Sequence, residues 1–190
     1  MNTPLEFPWR DIARTQDLAE RARRELAEDI VSAAVLRGEF TLASGAMSDY
    51  FFEKYLFQTR PTILRRLATA LAERIPASTD RLAGAALGAV AITTAASLET
   101  GLPFVIVRNP KSPDGQDTRF AGEIHPNEKV SVIEDVVSSG ASAVATAYAV
   151  KRAGAEVAGV LAVIDRNEGG ADRLGEAGFH YEFLFGVDDL

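Results

Sequence analysis

Apolar residues recur every three to four positions between residues 11 and 37, where Leu18, Leu26, Ile30, Ala33 and Ala34 share a face; this predicts a helix that Gly38 stops. Residues 40–57 are rich in aromatics and alternate in character, which predicts two short strands around the turn Ser44-Gly45-Ala46. Pro61 opens a second helix with Ile63, Leu64, Leu67 and Leu71 on one face, and Pro76 lies beyond its end. From residue 81 the pattern changes. Apolar runs at 81–86, 103–107, 130–134 and 157–164 predict strands, while residues 88–100 and 139–152 predict helices stopped by Gly101 and Gly154. Nearly continuous apolar strands separated by helices predict an α/β fold: a central, mostly parallel sheet flanked by helices on both faces. The N-terminal helix and aromatic hairpin, residues 1–57, predict a small cap over a core of residues 58–170, in a single domain spanning residues 1–190.

Ligands of such sheets bind at the carboxyl ends of the strands. The loops that converge there are 85–88, the segment from Arg108 onward, and 135–142, with the turn at Arg166 following the last strand. In the segment 130–142 an apolar run ends in Glu134-Asp135 and passes through Val136 and Val137 into Ser138-Ser139-Gly140-Ala141-Ser142, where a helical pattern begins. The loop backbone and helix start suit a phosphate, and the carboxylates suit sugar hydroxyls or a water-bridged Mg²⁺, so the segment predicts a site for a phosphorylated sugar. Two plainer readings stand beside it. The acids also fit a solvated strand end, and Ser138 or Ser139 also fits a helix N-cap, which is compatible with phosphate binding.

Composition narrows the chemistry. The net charge of −7 argues against a nucleic-acid partner, since such binding rests on a basic face. The absence of cysteine removes disulfide and thiolate chemistry and fits a cytoplasmic protein. Residues 1–10 lack the basic start and apolar core of a secretory signal, and no apolar run approaches the ~20 residues of a membrane span. Only four of the 20 basic residues are lysines (Lys54, Lys111, Lys129 and Lys151), so a lysine in a loop is an uncommon choice here.

The ordered series of apolar strand, two acids, two further residues and a Ser-Ser-Gly-Ala-Ser loop resembles the phosphoribosyl pyrophosphate (PRPP) signature of type I phosphoribosyltransferases. Within that superfamily, Phe40-Thr41-Leu42-Ala43-Ser44-Gly45, then Ser48-Asp49-Tyr50-Phe51-Phe52 and Glu53-Lys54-Tyr55-Leu56-Phe57, resemble the orotate-binding segment of orotate phosphoribosyltransferases. Gly84-Ala85-Ala86-Leu87-Gly88 is similar to that family's pyrophosphate-side loop, and Ile164-Asp165-Arg166-Asn167-Glu168-Gly169-Gly170 to the segment whose arginine holds the orotate carboxylate. The resemblance implies the type I phosphoribosyltransferase fold and Mg²⁺-dependent transfer of phosphoribosyl from PRPP to orotate. It implies that Glu134, Asp135, Val136, Val137, Ser138, Ser139, Gly140, Ala141, Ser142, Arg108, Ala85 and Ala86 bind PRPP. Phe51, Phe52, Ser138 and Arg166 would meet orotate; Mg²⁺ would sit on PRPP and water near Glu134 and Asp135; and Asp135, Glu134, Arg108 and Lys111 would be catalytic. A homodimer is implied as well, with loop 108–122 reaching the partner's site. For Phe51 and Phe52 the plainer reading is core packing, and for Arg166 an ion pair with Glu168.

One segment departs from the pattern. The family's catalytic loop runs Arg-Lys, a further Lys, then His-Gly; here Arg108 and Gly115 match, Asn109 stands at a Lys position, Lys111 is one place from the second, and Asp114 stands for His. Three readings follow: an enzyme in which the shifted Lys111, with Arg119, serves the leaving pyrophosphate; a regulatory protein that binds PRPP without turnover; or a chain completed by another subunit. A phosphoribosyltransferase for another base, such as a purine, is a further alternative, which the aromatic pair with Arg166 disfavours. His125 and His180 read as surface or structural histidines.

Overall fold

A computed structural model describes residues 9–41, 45, 47–108 and 119–190, with side chains from residue 18 onward. The first helix, α1 (Trp9–Ala34), ends three residues earlier than its spacing predicts, because Val35 starts β1 (Val35–Thr41), which pairs antiparallel with β2 (Met47–Phe52). The Ser44-Gly45-Ala46 turn lies largely outside the described residues, but the two strands it was expected to join are present. Residues 54–57, read as strand from their aromatics, are helical: α2 (Lys54–Gln58) starts where the Glu53 carboxylate accepts the Tyr55 N–H at 3.1 Å. That side-chain cap decides the local structure against the strand propensity of Tyr55 and Phe57.

Pro61 takes the first position of α3 (Pro61–Ala72), where its missing N–H is not needed. Strands β3 (Arg81–Ala85), β4 (Phe104–Val107), β6 (Lys129–Val137), β7 (Glu156–Asp165) and β8 (Tyr181–Gly186) then form a parallel sheet, joined antiparallel at one edge by β5 (Phe120–Ala121). The order is β5-β4-β3-β6-β7-β8. Helix α4 (Val90–Thr100) ends at Gly101 in the left-handed region, and α5 (Ala141–Arg152) returns from β6 to β7. The sequence pattern missed β5, α6 (Gly170–Glu176) and β8, because each is short and the last two carry charge on exposed faces.

Side-chain alternation along the strands divides the core in two. Leu82, Ile133, Leu161 and Val163 face α1, α2, α3 and α4, where Ile30, Phe57, Leu67, Leu71 and Ile92 are buried. Ala83, Val130, Val132 and Val160 face α5 and α6, where Ala143, Ala147, Val150 and Leu174 are buried. Helix α1 contributes Leu26, Ala27, Ile30, Ala33 and Ala34 to the first of these layers, so the helix read as a cap is built into the main core. Each fully buried Leu, Ile or Phe there removes apolar surface worth about 1.5–3 kcal/mol.

Candidate functional site

After β3 the chain winds to one side through β4, and after β6 to the other through β7 and β8, so β3 and β6 lie side by side at the point of reversal. A crevice opens at the carboxyl ends of such a pair. On one side of it lies the turn 86–89, which contains a cis Ala86–Leu87 peptide; on the other, residues 138–140 lead into α5.

The cap of α5 is Gly140 at φ 74°, with no side-chain capping bond, in place of the expected Ser138 or Ser139. The reason is steric as well as conformational. A Cβ on Gly140 would lie 2.9 Å from the Gly170 carbonyl oxygen, and one on Gly170 would lie 2.6 Å from the Ser138 oxygen. Only two glycines let the segment after β7 rest on this loop. The loop surrounds a cavity of about 180 Å³ lined by Glu134, Val136, Val137, Ser138, Ser139, Gly140, Ala141, Ser142 and Ala143. The first-turn amides of a helix have no intrahelical acceptor, and with the positive end of the helix they suit an anion.

Glu134 and Asp135 sit inside β6 rather than at its end, because the strand continues through Val137. They therefore point to opposite faces. Glu134, 4% exposed, lines the loop cavity and accepts a hydrogen bond from Ser142 Oγ at 3.2 Å. Burial pushes its pKa up to about 7, the neighbouring Asp135 charge adds to the rise, and the Ser142 bond and Lys54 oppose it. Asp135, 2% exposed, turns toward α2, where Lys54 Nζ lies 2.8 Å and Gln58 Nε2 3.0 Å from its Oδ2. Its Oδ1 accepts the Val136 N–H at 2.8 Å. Burial works against the Lys54 charge, but the bond to Asp135 and the two carboxylates hold its pKa above the usual lysine value. The structure thus brings Glu134 to the loop cavity and holds Asp135 on the other face of β6, against Gly88 of the turn 86–89 that borders the same crevice. In the sequence Lys54 stands out only as one of four lysines and as part of the orotate-segment resemblance, and Gln58 not at all, because reading residues 40–57 as strand hides their shared helix face.

A larger cavity of about 490 Å³ adjoins the first; Ala85, Ala86, Val107, Arg108, Arg119, Ser142 and Arg152 are among its lining. The Arg108 N–H donates to the Arg119 carbonyl at 2.6 Å, closing the base of the intervening segment. Lys111, Asn109 and Asp114 lie in residues 109–118, outside the described residues.

The orotate-side residues are spread more widely. Phe51 is exposed and its ring centroid lies 5.6 Å from that of Phe40; Phe52 is half-buried, 6.1 Å from Phe57, and packs on the core. Neither lines the two cavities. Arg166 is exposed and pairs with Glu168 at 2.8 Å, while its N–H donates to the Val137 carbonyl beside the loop. Asp165 shapes that turn, accepting the Asn167 N–H and the Tyr181 hydroxyl, both at 2.7 Å. Burial, then the bond to Asp165, pushes the Tyr181 pKa well up. His125 and His180 are exposed and face Glu123 and Glu182. Among the described residues, no group of three or more His, Cys, Asp or Glu side chains is placed to hold a metal, and no helix is long and apolar enough to cross a membrane.

A mostly parallel sheet with a glycine-turned Ser loop and buried acids at its switch point is the arrangement that the sequence's resemblance to type I phosphoribosyltransferases implies. Comparison with solved structures agrees. An orotate phosphoribosyltransferase of Mycobacterium tuberculosis superposes with a TM-score of 0.80 at 29% identity, over 88% of this chain and 98% of that one. A phosphoribosyltransferase of Corynebacterium diphtheriae does so with a TM-score of 0.77 at 29% identity, over 90% and 98%. No family model matches the chain. Among curated proteins, the orotate phosphoribosyltransferase of Natronomonas pharaonis is 40% identical over 170 residues, covering 89% of this chain and 97% of its own length. That of Halobacterium salinarum is 42% identical over 168 residues, covering 86% and 95%. The chain belongs to the orotate phosphoribosyltransferase family.

Proposed function

We propose that the protein transfers the 5-phosphoribosyl group of PRPP to orotate, giving orotidine 5′-monophosphate and pyrophosphate, as a step of pyrimidine nucleotide synthesis. The observation that carries this reading is the loop cavity at the β3/β6 crevice, with buried Glu134 in its wall, in a chain 40% identical to a relative of that name. A solved M. tuberculosis relative contains PRPP itself. In the reaction the C1–O bond from the ribose to pyrophosphate breaks and its electron pair leaves with pyrophosphate, while a ring nitrogen of orotate bonds to C1 and gives up its proton to water or to the departing pyrophosphate. Catalysis of such a step is mainly positioning and charge neutralisation.

In this reading the amides and hydroxyls of residues 138–142 hold the 5′-phosphate, and Glu134 and Asp135 serve the ribose hydroxyls. Arg108, with Lys111, faces the pyrophosphate beside Ala85 and Ala86. Arg166 exchanges its Glu168 partner for the orotate carboxylate, a planar match for a guanidinium. Phe51 and Phe52, with Ser138, border the base. Mg²⁺ fits this donor set as an ion held by PRPP oxygens, since Asp135 is occupied by Lys54 and Gln58 and Glu134 is the acid open to the cavity. The ion would supply charge neutralisation at the pyrophosphate. A homodimer, with residues 108–122 reaching the partner's site, and a cytoplasmic setting complete the proposal.

A second reading, PRPP binding without turnover, is favoured by Asn109 and Asp114 at positions where the family pattern has Lys and His. Loss of orotate absorbance on mixing protein, PRPP and Mg²⁺, with PRPP binding measured by calorimetry, separates the two. Turnover supports the enzyme, binding without turnover supports the second reading, and no binding contradicts both.

A further inference from the structure

Lys54 and Gln58 stand four residues apart on α2 and reach the same oxygen, Asp135 Oδ2, at 2.8 and 3.0 Å. Residues at that spacing share one helix face, and the Glu53 cap sets the first turn that aims Lys54 inward. With Oδ1 taken by the Val136 N–H, the Asp135 carboxylate is held from three directions. Its fourth neighbour is the turn 86–89: a Cβ on Gly88 would lie 2.4 Å from Oδ2, so only glycine leaves the carboxylate room. Asp135 is 2% exposed and adjoins Glu134, a second buried carboxylate, so its contacts come from protein groups and not from solvent.

We propose that Lys54 is a positioning residue for phosphoribosyl transfer: with Gln58 it holds the Asp135 carboxylate fixed beneath the turn 86–89, at the ribose end of the site. The inference rests on the reading above, in which the acidic pair serves the ribose. It also explains how the hairpin reaches the sheet. Helix α2 follows β2 after one residue, so the β1–β2 hairpin is joined to the acidic pair through Lys54, and Phe52 rests on Phe57 of the same helix. The side chain of Lys54 keeps 36% of its surface accessible and that of Asp135 only 3%, so the pair joins a partly solvated cation to a buried acid.

The test uses the full chain in steady-state turnover of PRPP and orotate with Mg²⁺, comparing wild type, Lys54→Met, Lys54→Arg, Asp135→Asn and the Lys54→Met/Asp135→Asn double variant. Lys54→Met is expected to lower kcat/KM for PRPP by about tenfold or more, chiefly through KM, while the orotate KM stays within about twofold. Lys54→Arg, which restores the cation, is expected to recover most of that loss. The double variant should be no worse than Asp135→Asn alone, because Lys54 acts through Asp135. Equal losses for both substrates, or additive losses in the double variant, overturn the proposal. Should Lys54→Met not fold, calorimetric PRPP binding to the double variant and to Asp135→Asn decides: equal affinities support the role, and a further drop overturns it. A wild type that neither turns over nor binds PRPP overturns the functional reading itself, whereas an active wild type with an unaffected Lys54→Met overturns the role of Lys54 alone.

Discussion

Glu134→Gln turns a buried acid whose ionisation is opposed by its surroundings into an amide that never ionises. The folded protein holds the Glu134 proton up to about pH 7, against 4.5 for the free side chain. A raised carboxyl pKa means that the folded state binds the proton more tightly, so stability is highest at low pH and is lost as pH rises from 4.5 toward 7. At about 1.4 kcal/mol per decade of acidity, the loss over the whole window is about 3 kcal/mol, most of it between about pH 5 and about pH 8. Other shifted groups act elsewhere: the bond from Arg81 holds Glu128 down at about 2, so its contribution is lost only as pH falls below the ordinary Glu value. The assay is urea unfolding of wild type and Glu134→Gln, without ligand, at both ends of the window. Wild type should lose about 2–3 kcal/mol more than the variant on going from about pH 5 to about pH 8. Parallel pH dependence of the two proteins would refute the reasoning, because it would mean that Glu134 ionises as freely in the folded chain as in the unfolded one.

Gly170→Ala places a Cβ 2.4 Å from Val137 Cγ1 and 2.6 Å from the Ser138 oxygen. It should cost about 1–3 kcal/mol in urea unfolding and weaken PRPP binding by calorimetry, because the strained neighbour is the loop itself. Arg166→Ala should raise the orotate KM by about tenfold or more while leaving the PRPP KM nearly unchanged, since the proposed function gives the arginine to the orotate carboxylate and it lies outside the loop cavity. Leu67→Ala, at a site with no exposed surface, should cost about 2–5 kcal/mol in thermal or urea unfolding and leave kcat within about twofold of wild type at low temperature.

The parallel sheet was legible because its strands are continuous apolar runs of a length no helix would use, and because glycine or proline marks most helix ends. The loop at Ser138 to Ser142 was legible because these residues follow a strand and open a helix. Less visible were features set by contacts between distant segments. Residues 54–57 carry the aromatics of a strand, but a single cap from Glu53 makes them helical and aims Lys54 and Gln58 at Asp135. Adjacent acids in a sequence look like a pair; only the extension of β6 through Val137 shows that they serve opposite faces. Gly140 and Gly170 looked like ordinary turn residues, and their mutual contact depends on a segment 30 positions away. Arg166 shows the reverse case, where the surface ion pair with Glu168 is formed and the arginine is in place beside the loop.

Phosphorus NMR of a mixture of the protein, PRPP, orotate and Mg²⁺ tests the central claim most directly, because it sees both products at once. The account predicts that PRPP signals convert to free pyrophosphate and one phosphomonoester, that conversion requires orotate, and that Asp135→Asn slows it sharply. PRPP signals that persist unchanged with orotate present, or that decay equally without it, would contradict the account.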